Sequence, residues 1–314
     1  METTEFKHVS VMFEECMQAL NIKNGGLYFD GTLGGGGHSY GILSRSAPNG
    51  QLIATDLDDY AIMRATEKLK GFEGRFQLIK DNFKNFSKIV ENLNLTKFDG
   101  ILLDLGVSSF QLDDRSRGFS YMGVDEKLDM RMDKQNPLTA ELVVNTYSEE
   151  QLKKILVEYG EEKFANNIAK NIVASRKTQR IVTISQLNEI IDKSIPAKFK
   201  HEGHPAKRTF QALRIEVNGE LEGLYQAIID MARGLKKGGR LAIISFHSLE
   251  DRIVKKAFKE LETDCICDKR LPVCVCGKKR EVKILTSHPI LASEQELKIN
   301  SRAKSAKLRI VERV

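Results

Sequence analysis

Four consecutive glycines at positions 34–37 constrain this chain more than any other feature of its sequence. Glycine loses the most backbone entropy on ordering, so such a run is costly unless the backbone must turn sharply or approach a ligand closely. The run follows a short apolar segment and lies within residues 30–39, which read DGTLGGGGHS. A strand, a glycine turn and a helix in this order are typical of nucleotide-type cofactor sites.

The spacing of these glycines argues against two common phosphate-binding motifs. The dinucleotide fingerprint G-x-G-x-x-G fails in every frame, and the run lacks the Lys-Ser/Thr ending of a P-loop. What fits is an acid at the strand end with glycines four and six positions later, namely Asp30, Gly34 and Gly36. This spacing resembles the first motif of S-adenosylmethionine-dependent methyltransferases. Thr32 departs from that motif, because a glycine is more common there.

Strand-like and helix-like patterns alternate through the first hundred residues, with strands predicted at 27–30, 51–56, 75–80 and 98–105. This alternation predicts an α/β fold with a doubly wound, Rossmann-like parallel sheet. The alternation stops near residue 109, and strand patterns return at 240–245, 282–285 and 306–311, after a predicted long helix at 209–235. We therefore predict a discontinuous catalytic domain (1–108 and 207–314) interrupted by a mostly helical domain (109–206) for substrate recognition.

Acidic residues stand at or just after the ends of the first four predicted strands: Asp30, Asp56, Asp81 and Asp104. In an open α/β sheet the ligand crevice lies at the carboxyl ends of the strands, so we expect all four on one rim. Asp56 is in the position that accepts hydrogen bonds from ribose hydroxyls, and Asp81 and Phe83 are expected beside the adenine. A structural role for any one acid, such as capping the next helix, stays open.

The charges of this chain are unevenly distributed. Residues 163–214 carry eleven Lys/Arg against three acids, and residues 298–314 carry six against one, whereas residues 1–60 carry eight acids against three Lys/Arg. One charge run alone is typical of a solvated face. Two basic segments together favour a polyanionic partner, with nucleic acid as the leading candidate.

Export and membrane insertion are not expected. No stretch approaches 18 apolar residues, and acids stand near the N-terminus where a signal peptide would be apolar. Five cysteines, an odd number, indicate a reducing compartment. We therefore expect a cytoplasmic protein. Its oligomeric state stays open, a homodimer included.

With these motifs in place, the chain resembles the bacterial ribosomal small-subunit RNA cytosine-N(4) methyltransferases, the RsmH (MraW) family. The resemblance runs nearly from end to end and rests on segments 8–12, 30–39, 99–112, 117–120, 128–133, 204–210, 245–252 and 300–304. It implies a methyltransferase fold with an inserted helical domain, S-adenosylmethionine as cofactor, and a decoding-centre cytosine of 16S ribosomal RNA in the small ribosomal subunit as substrate.

The resemblance also implies roles for individual residues. Cofactor contacts carried over by position fall on Gly37, His38, Ser39, Asp56, Phe83, Asp104 and Gln111. Phosphate contacts are expected from Lys207, Arg208, Arg302 and Lys304. His247 is equally suited to contacting the base and to orienting its own loop.

The expected chemistry is transfer to a poor nucleophile, because the lone pair of the exocyclic amine is delocalised into the cytosine ring. The protein must hold nitrogen, methyl and sulfur in line, about 3 Å apart, which is catalysis by orientation. Asp104 or the Leu105 carbonyl could accept a hydrogen bond from the amine, with Ser108 and Ser109 nearby. Two alternatives stay open: a DNA amino-methyltransferase, and an RNA-binding ribosome assembly factor without catalytic activity.

Four cysteines form a compact cluster near the C-terminus, Cys265-x-Cys267 and Cys274-x-Cys276, with Pro272 and Gly277 in the turn region. Four thiolates suit structural zinc. However, C-x-C is a tighter spacing than the usual C-x₂-C, and the family resemblance requires no metal. We therefore favour reduced thiols and expect no bound metal.

Overall fold

A computed structural model describes residues 10–200, 204–268 and 273–314. The chain divides into two compact units, one formed by Met1–Gly106 with Leu221–Val314 and the other by Val107–Glu220. The second unit therefore extends fourteen residues beyond the predicted boundary at 206. Of the sequence motifs, His8, Val9 and Pro272 lie outside the described residues.

Regular elements in the described residues are numbered in chain order. The strands are β1 (Leu27–Asp30), β2 (Gln51–Asp56), β3 (Phe76–Lys80), β4 (Phe98–Asp104), β5 (Leu235–Ser245), β6 (Val282–Ile284), β7 (Ile290–Leu291) and β8 (Lys307–Arg313). The helices are α1 (Phe13–Leu20), α2 (Gly37–Arg45), α3 (Asp59–Lys68), α4 (Phe86–Asn92), α5 (Ser109–Asp113), α6 (Ala140–Thr146), α7 (Glu149–Glu158), α8 (Ala165–Thr178), α9 (Ile184–Ser194), α10 (Lys207–Asn218), α11 (Leu224–Arg233), α12 (Ser248–Glu262) and α13 (Glu294–Ile299).

The first unit contains a mixed sheet in the order β3-β2-β1-β4-β5-β8-β6, with β7 also pairing with β8. Strands β1 to β5 pair in parallel, and β8 pairs antiparallel with β5, β6 and β7. This confirms the predicted α/β class with a Rossmann-like sheet. The chain runs outward from β1 through β2 to β3 and then returns to the other side of β1 at β4. The carboxyl ends of β1 and β4 therefore form the switch point where such sheets bind ligands.

Alternate side chains of β4 enter two separate cores. Ile101 and Leu103 pack in a core with residues of α4, α11 and α12, whereas Leu102 packs in a core with residues of α1, α2 and α3. The period of two is the pleat of a strand, and burial on both faces explains why β4 reads as a continuous apolar run.

The second unit is built from helices α6 to α10 around one apolar core. Caps that the sequence encodes begin two of these helices. Ser148 accepts a hydrogen bond from the Gln151 N–H while the Gln151 side chain bonds back, and Thr183 and Gln186 do the same for α9. Buried Ile and Leu residues at helical spacing then face the core.

The predicted single helix at 209–235 is wrong, because the segment forms two helices, α10 and α11. Gly219 ends α10 with φ 56°, and Gly223 precedes α11 with φ 71°. Both values are left-handed, a conformation that glycine adopts without a steric penalty. The break assigns α10 to the second unit and α11 to the first.

In the described ranges, no helix combines the length and the apolar character needed to cross a bilayer.

Strand β8 offers a test of how the sheet is stabilised. Leu308 of β8 is fully buried, whereas Leu291 of the paired strand β7 is 61% exposed. Leu308→Ala should lower the free energy of unfolding by about 2–5 kcal/mol, because it leaves a cavity. Leu291→Ala should change it by less than about 0.5 kcal/mol. Urea unfolding followed by circular dichroism compares the two, and equal effects would contradict this account of β8.

Candidate functional site

The glycine turn after β1 contains two left-handed residues, Gly34 with φ 50° and Gly36 with φ 73°. Gly36 caps α2, and a Cβ there would lie 3.0 Å from the Ala65 Cβ of α3, so the two helices pack too closely for a side chain. At Gly34 a Cβ would meet no described heavy atom closer than 3.9 Å. Gly36 therefore serves helix packing, whereas Gly34 keeps the turn and leaves space in front of the backbone.

Asp56 fixes this turn from the end of β2. Its Oδ2 accepts a hydrogen bond from the Gly34 N–H at 2.8 Å, and its Oδ1 accepts one from the Asp58 N–H at 2.9 Å. Burial raises the pKa of Asp56, and these two bonds oppose that rise. An ionised carboxylate offers about four lone-pair positions, so acceptor capacity remains for the hydroxyls of a sugar.

Asp30 and Ser39 lie behind the turn. Asp30 is 1% exposed, with Oδ1 accepting from the Thr32 N–H at 3.1 Å and Oδ2 accepting from the Ser39 Oγ–H at 2.7 Å. Burial raises the pKa of Asp30 to about 6, against the effect of the Ser39 bond. These bonds shape the turn, and the cofactor contacts predicted for Asp30 and Ser39 stay predictions.

The side chain of Thr32 links the turn to the end of β4. Its Oγ1 accepts a hydrogen bond from the Asp104 N–H at 2.6 Å. A glycine, which is more common in this motif, could not make that bond. The structure thus gives a physical reason for the one residue that departs from the methyltransferase motif.

Asp104 lies at the switch point, at the end of β4. Its Oδ2 is 3.9 Å from the Nδ1 of the buried His38, whose Nε2 donates to the Val11 carbonyl oxygen at 3.0 Å. Within the described part of the chain, Oδ1 of Asp104 is shielded from water and has no hydrogen-bond partner, although the side chain as a whole is 24% exposed. Buried polar atoms are normally paired, so this oxygen marks a position for a donor from a ligand.

Three further carboxylates surround Asp104. Burial raises its pKa to about 8, and Asp30, Glu250 and Glu296 add to the rise. Glu296 is held close because its Oε1 accepts from the Met12 N–H at 2.7 Å. Such a concentration of acidic groups favours a positively charged ligand, which would in turn favour the ionised form of Asp104. Neither Glu250 nor Glu296 was predicted from the sequence as a site residue. The spacing from His247 to Glu250 is a local capping signal, but nothing in the sequence near Glu296 indicates its contact.

Asp81 and Phe83 follow β3. Oδ1 of Asp81 accepts from the Asn82 N–H and the Asn85 Nδ2, both at 2.7 Å, so it organises its own loop. Phe83 contacts the glycine turn, since a Cβ added to Gly31 would come within 2.9 Å of the Phe83 Cβ. Phe83 is partly buried beside the start of the turn, and its contact with adenine stays a prediction.

Ser108, Ser109 and Gln111 lie at the start of the second unit. Ser108 caps α5, its Oγ accepting from the Gln111 N–H at 3.3 Å while the Gln111 Oε1 accepts from the Ser108 N–H at 3.0 Å. Lys207 and Arg208 are exposed in the first turn of α10, in the same unit. The catalytic, cofactor-binding and RNA-binding roles of these residues stay predictions.

The remaining predicted RNA contacts lie in the first unit. His247 caps α12, with Nδ1 accepting from the Glu250 N–H at 3.4 Å and Nε2 3.2 Å from the Glu250 Oε1. Its side chain is 7% exposed, which fits the loop-orienting role better than base contact. Arg302 and Lys304 are exposed in a short 3₁₀ helix at 301–305.

These features define a class of protein. The sheet is doubly wound, its glycine turn is hydrogen-bonded to the ends of three neighbouring strands, and acidic side chains gather at the switch point. These are the features of a Rossmann-like enzyme that binds a nucleotide-type cofactor.

The comparison with protein families is more specific, because the MraW methylase family matches residues 5–314. The chain belongs to this family, as the sequence motifs predicted, and its cofactor is S-adenosylmethionine. The structure fits this cofactor in two respects. The backbone at Gly34 is open to a ligand, since an added Cβ there would meet no described atom closer than 3.9 Å, and the acidic groups around Asp104 suit a cation.

Curated relatives match over almost the whole chain. A "Ribosomal RNA small subunit methyltransferase H" of Clostridium botulinum (strain Kyoto / Type A2) is 56% identical over 310 residues, covering 99% of this chain and 100% of the relative. A protein with the same description from Lachnospira eligens is 54% identical over 311 residues, covering 99% and 98%. Among solved structures, a putative rRNA-methylase from Clostridium thermocellum aligns with a TM-score of 0.47 at 13% identity, covering 98% of this chain and 100% of that one.

Thr32 provides a test of how the site is held. Thr32→Val keeps the shape of the side chain but leaves the Asp104 N–H without its acceptor, so the end of β4 should lose its fixed position. We expect about tenfold weaker binding of S-adenosylmethionine in isothermal titration calorimetry, equivalent to about 1.4 kcal/mol. Thr32→Ser retains the hydroxyl and should bind nearly as well as the unmodified chain. Equal affinities for the valine and serine variants would contradict the role given to this hydroxyl.

Proposed function

We propose that this chain methylates small-subunit ribosomal RNA, transferring a methyl group from S-adenosylmethionine to the exocyclic N(4) amine of a decoding-centre cytosine in 16S RNA. Family membership and the descriptions of relatives at 54–56% identity support the reaction and the class of RNA. The motifs of the cytosine-N(4) family support the choice of atom. The proposed substrate places the activity in the cytoplasm, and a homodimer stays a prediction.

One observation carries the proposal for the atom: the shielded Oδ1 of Asp104, an acceptor without a partner among the described residues. An exocyclic amine donates hydrogen bonds, so a base held against this oxygen would supply the missing donor. Accepting that bond increases the electron density on the nitrogen. The raised pKa, about 8, also makes Asp104 a stronger base than an ordinary aspartate.

The cofactor residues have separate tasks in this proposal. S-adenosylmethionine supplies a methyl group already activated by a positively charged sulfur. Asp56 binds the ribose hydroxyls with its remaining lone pairs, and Phe83 packs against the adenine. The open backbone at Gly34 admits the nucleoside. The Thr32 hydroxyl, which accepts from the Asp104 N–H, holds Asp104 at a fixed position relative to Asp56, Phe83 and Gly34. This fixed geometry is the main contribution of the protein.

The RNA is expected to bind through its phosphates, with Lys207, Arg208, Arg302 and Lys304 as the proposed contacts. All four are exposed and carry no base specificity by themselves. A stacked or paired cytosine would have to rotate out of its helix to reach Asp104.

A methyl-transfer assay separates this proposal from its two alternatives. Tritiated S-adenosylmethionine is offered with small subunits from cells lacking the gene, with free 16S RNA, and with DNA. We expect label in the ribosomal RNA, as N(4)-methylcytosine after nuclease digestion. Label only in DNA would establish a DNA amino-methyltransferase, and no label in any substrate would favour an assembly factor.

Asp104→Asn tests the role of the carboxylate. Asparagine has nearly the same shape, but its neutral amide cannot accept the proton of the amine, so we expect at least a hundredfold loss of kcat. The fold, measured by circular dichroism, should be retained. Asp114→Asn, at an exposed turn of the second unit, serves as the control and should leave the rate unchanged. A near-normal rate for Asp104→Asn would remove Asp104 from the mechanism.

Lys207→Ala/Arg208→Ala tests the phosphate contacts. Losing two contacts should weaken RNA binding and reduce the slope of log affinity against log salt by about 1.4, the value for single strands. Binding of S-adenosylmethionine should not change. If cofactor affinity falls instead, the two residues have a structural role.

A further inference from the structure

The four cysteines outside the methylation site converge in the structure. Their Sγ atoms all lie within 4.8 Å of one another, although the two pairs are separated by six residues along the chain. The Sγ–Sγ distances are 3.5 Å for Cys265–Cys274 and Cys274–Cys276, and 3.9 Å for Cys267–Cys274 and Cys265–Cys276. We propose that these four thiolates bind one structural zinc ion.

The distances fit a single ion. Zinc–sulfur bonds are about 2.3 Å long, so the corners of a tetrahedral site lie about 3.8 Å apart. An iron–sulfur cluster would hold its cysteine sulfurs farther apart, because iron and sulfide atoms would lie between them. A disulfide needs about 2.05 Å between its sulfurs. The observed spacing is therefore that of a mononuclear tetrathiolate site.

The backbone around the cluster is arranged for negatively charged sulfur. The middle residue of each C-x-C pair donates its N–H to the last cysteine of the other pair: Ile266 to the Cys276 Sγ at 3.4 Å, and Val275 to the Cys267 Sγ at 3.3 Å. Hydrogen bonds donated to the ligand atoms of a metal site orient the ligands and stabilise their charge. Although the spacing within each C-x-C pair is short, the two pairs support each other through these bonds. Together they hold four sulfurs close enough to bind one ion.

Among the described residues of this segment, no apolar core holds the shape of the cluster. The apolar side chains between and beside the cysteines are exposed, at 69% for Ile266, 70% for Val273 and 78% for Val275. A short segment without an apolar core is commonly stabilised by a metal or by disulfides. Four cysteine ligands leave no open coordination position, so the ion would be structural and not catalytic.

The test is the metal content of the full chain, purified without chelator and without an affinity tag that binds metal. We expect about one zinc per chain by plasma mass spectrometry. Cys267→Ser/Cys276→Ser should lower this below about 0.1, whereas the control Cys16→Ala, which removes the buried cysteine outside the cluster, should keep it near one. Replacement by cobalt should give the intense absorption of thiolate-bound tetrahedral cobalt.

The result that would overturn the proposal is metal-free protein in which all four thiols react with a thiol reagent. Stoichiometric iron with inorganic sulfide, or two disulfides found by mass spectrometry, would overturn it equally. Zinc retained by the Cys267→Ser/Cys276→Ser variant would show that the ion binds elsewhere. The measurement on the unmodified chain decides the question even if a variant fails to fold.

Discussion

The hydrogen bond from the Gly34 N–H to Asp56 is the interaction on which the site depends. Asp56 stands at the end of β2, and its bond fixes the turn after β1, where Gly34 has a left-handed backbone. A second bond, from the Asp104 N–H to Thr32, joins the same turn to the strand on the other side. Because both neighbours of β1 are tied to one turn, the proposed acceptors for a sugar and for an amine, Asp56 and Asp104, are held at fixed positions.

This arrangement has an energetic cost for the free protein. The pKa values of Asp104, about 8, and Asp30, about 6, lie above the usual value near 4. Between pH 4 and pH 8 the folded chain therefore binds more protons than the unfolded chain, and the free energy of unfolding falls as the pH rises through this window. A bound cation favours the ionised form of Asp104 and offsets part of this cost. The carboxylate cluster thus reduces stability at a place where it favours a positively charged ligand.

Local patterns predicted the parts of the structure that depend on local physics. The parallel strands were recognisable because burial on both faces makes them continuously apolar, and their terminal acids could be placed on one rim by topology alone. The break at Gly219 was missed because the helical period continues on both sides of it. Glu296 was missed for a different reason: its bond to Met12 joins residues 284 positions apart, and no local pattern encodes it. The motif showed that Thr32 was unusual, but only its contact with β4 showed why.

The proposed site depends most on the protonation of Asp104, which carbon-13 NMR of labelled aspartate carboxyls measures directly. The Asp104 signal is assigned by its loss in Asp104→Asn and followed from pH 4 to pH 10, with and without S-adenosylmethionine. We expect a midpoint of about 8 in the free protein and a lower midpoint with the cofactor bound. A midpoint near 4 in the free protein would contradict it, because the carboxylates around Asp104 would then not form the charged site described here.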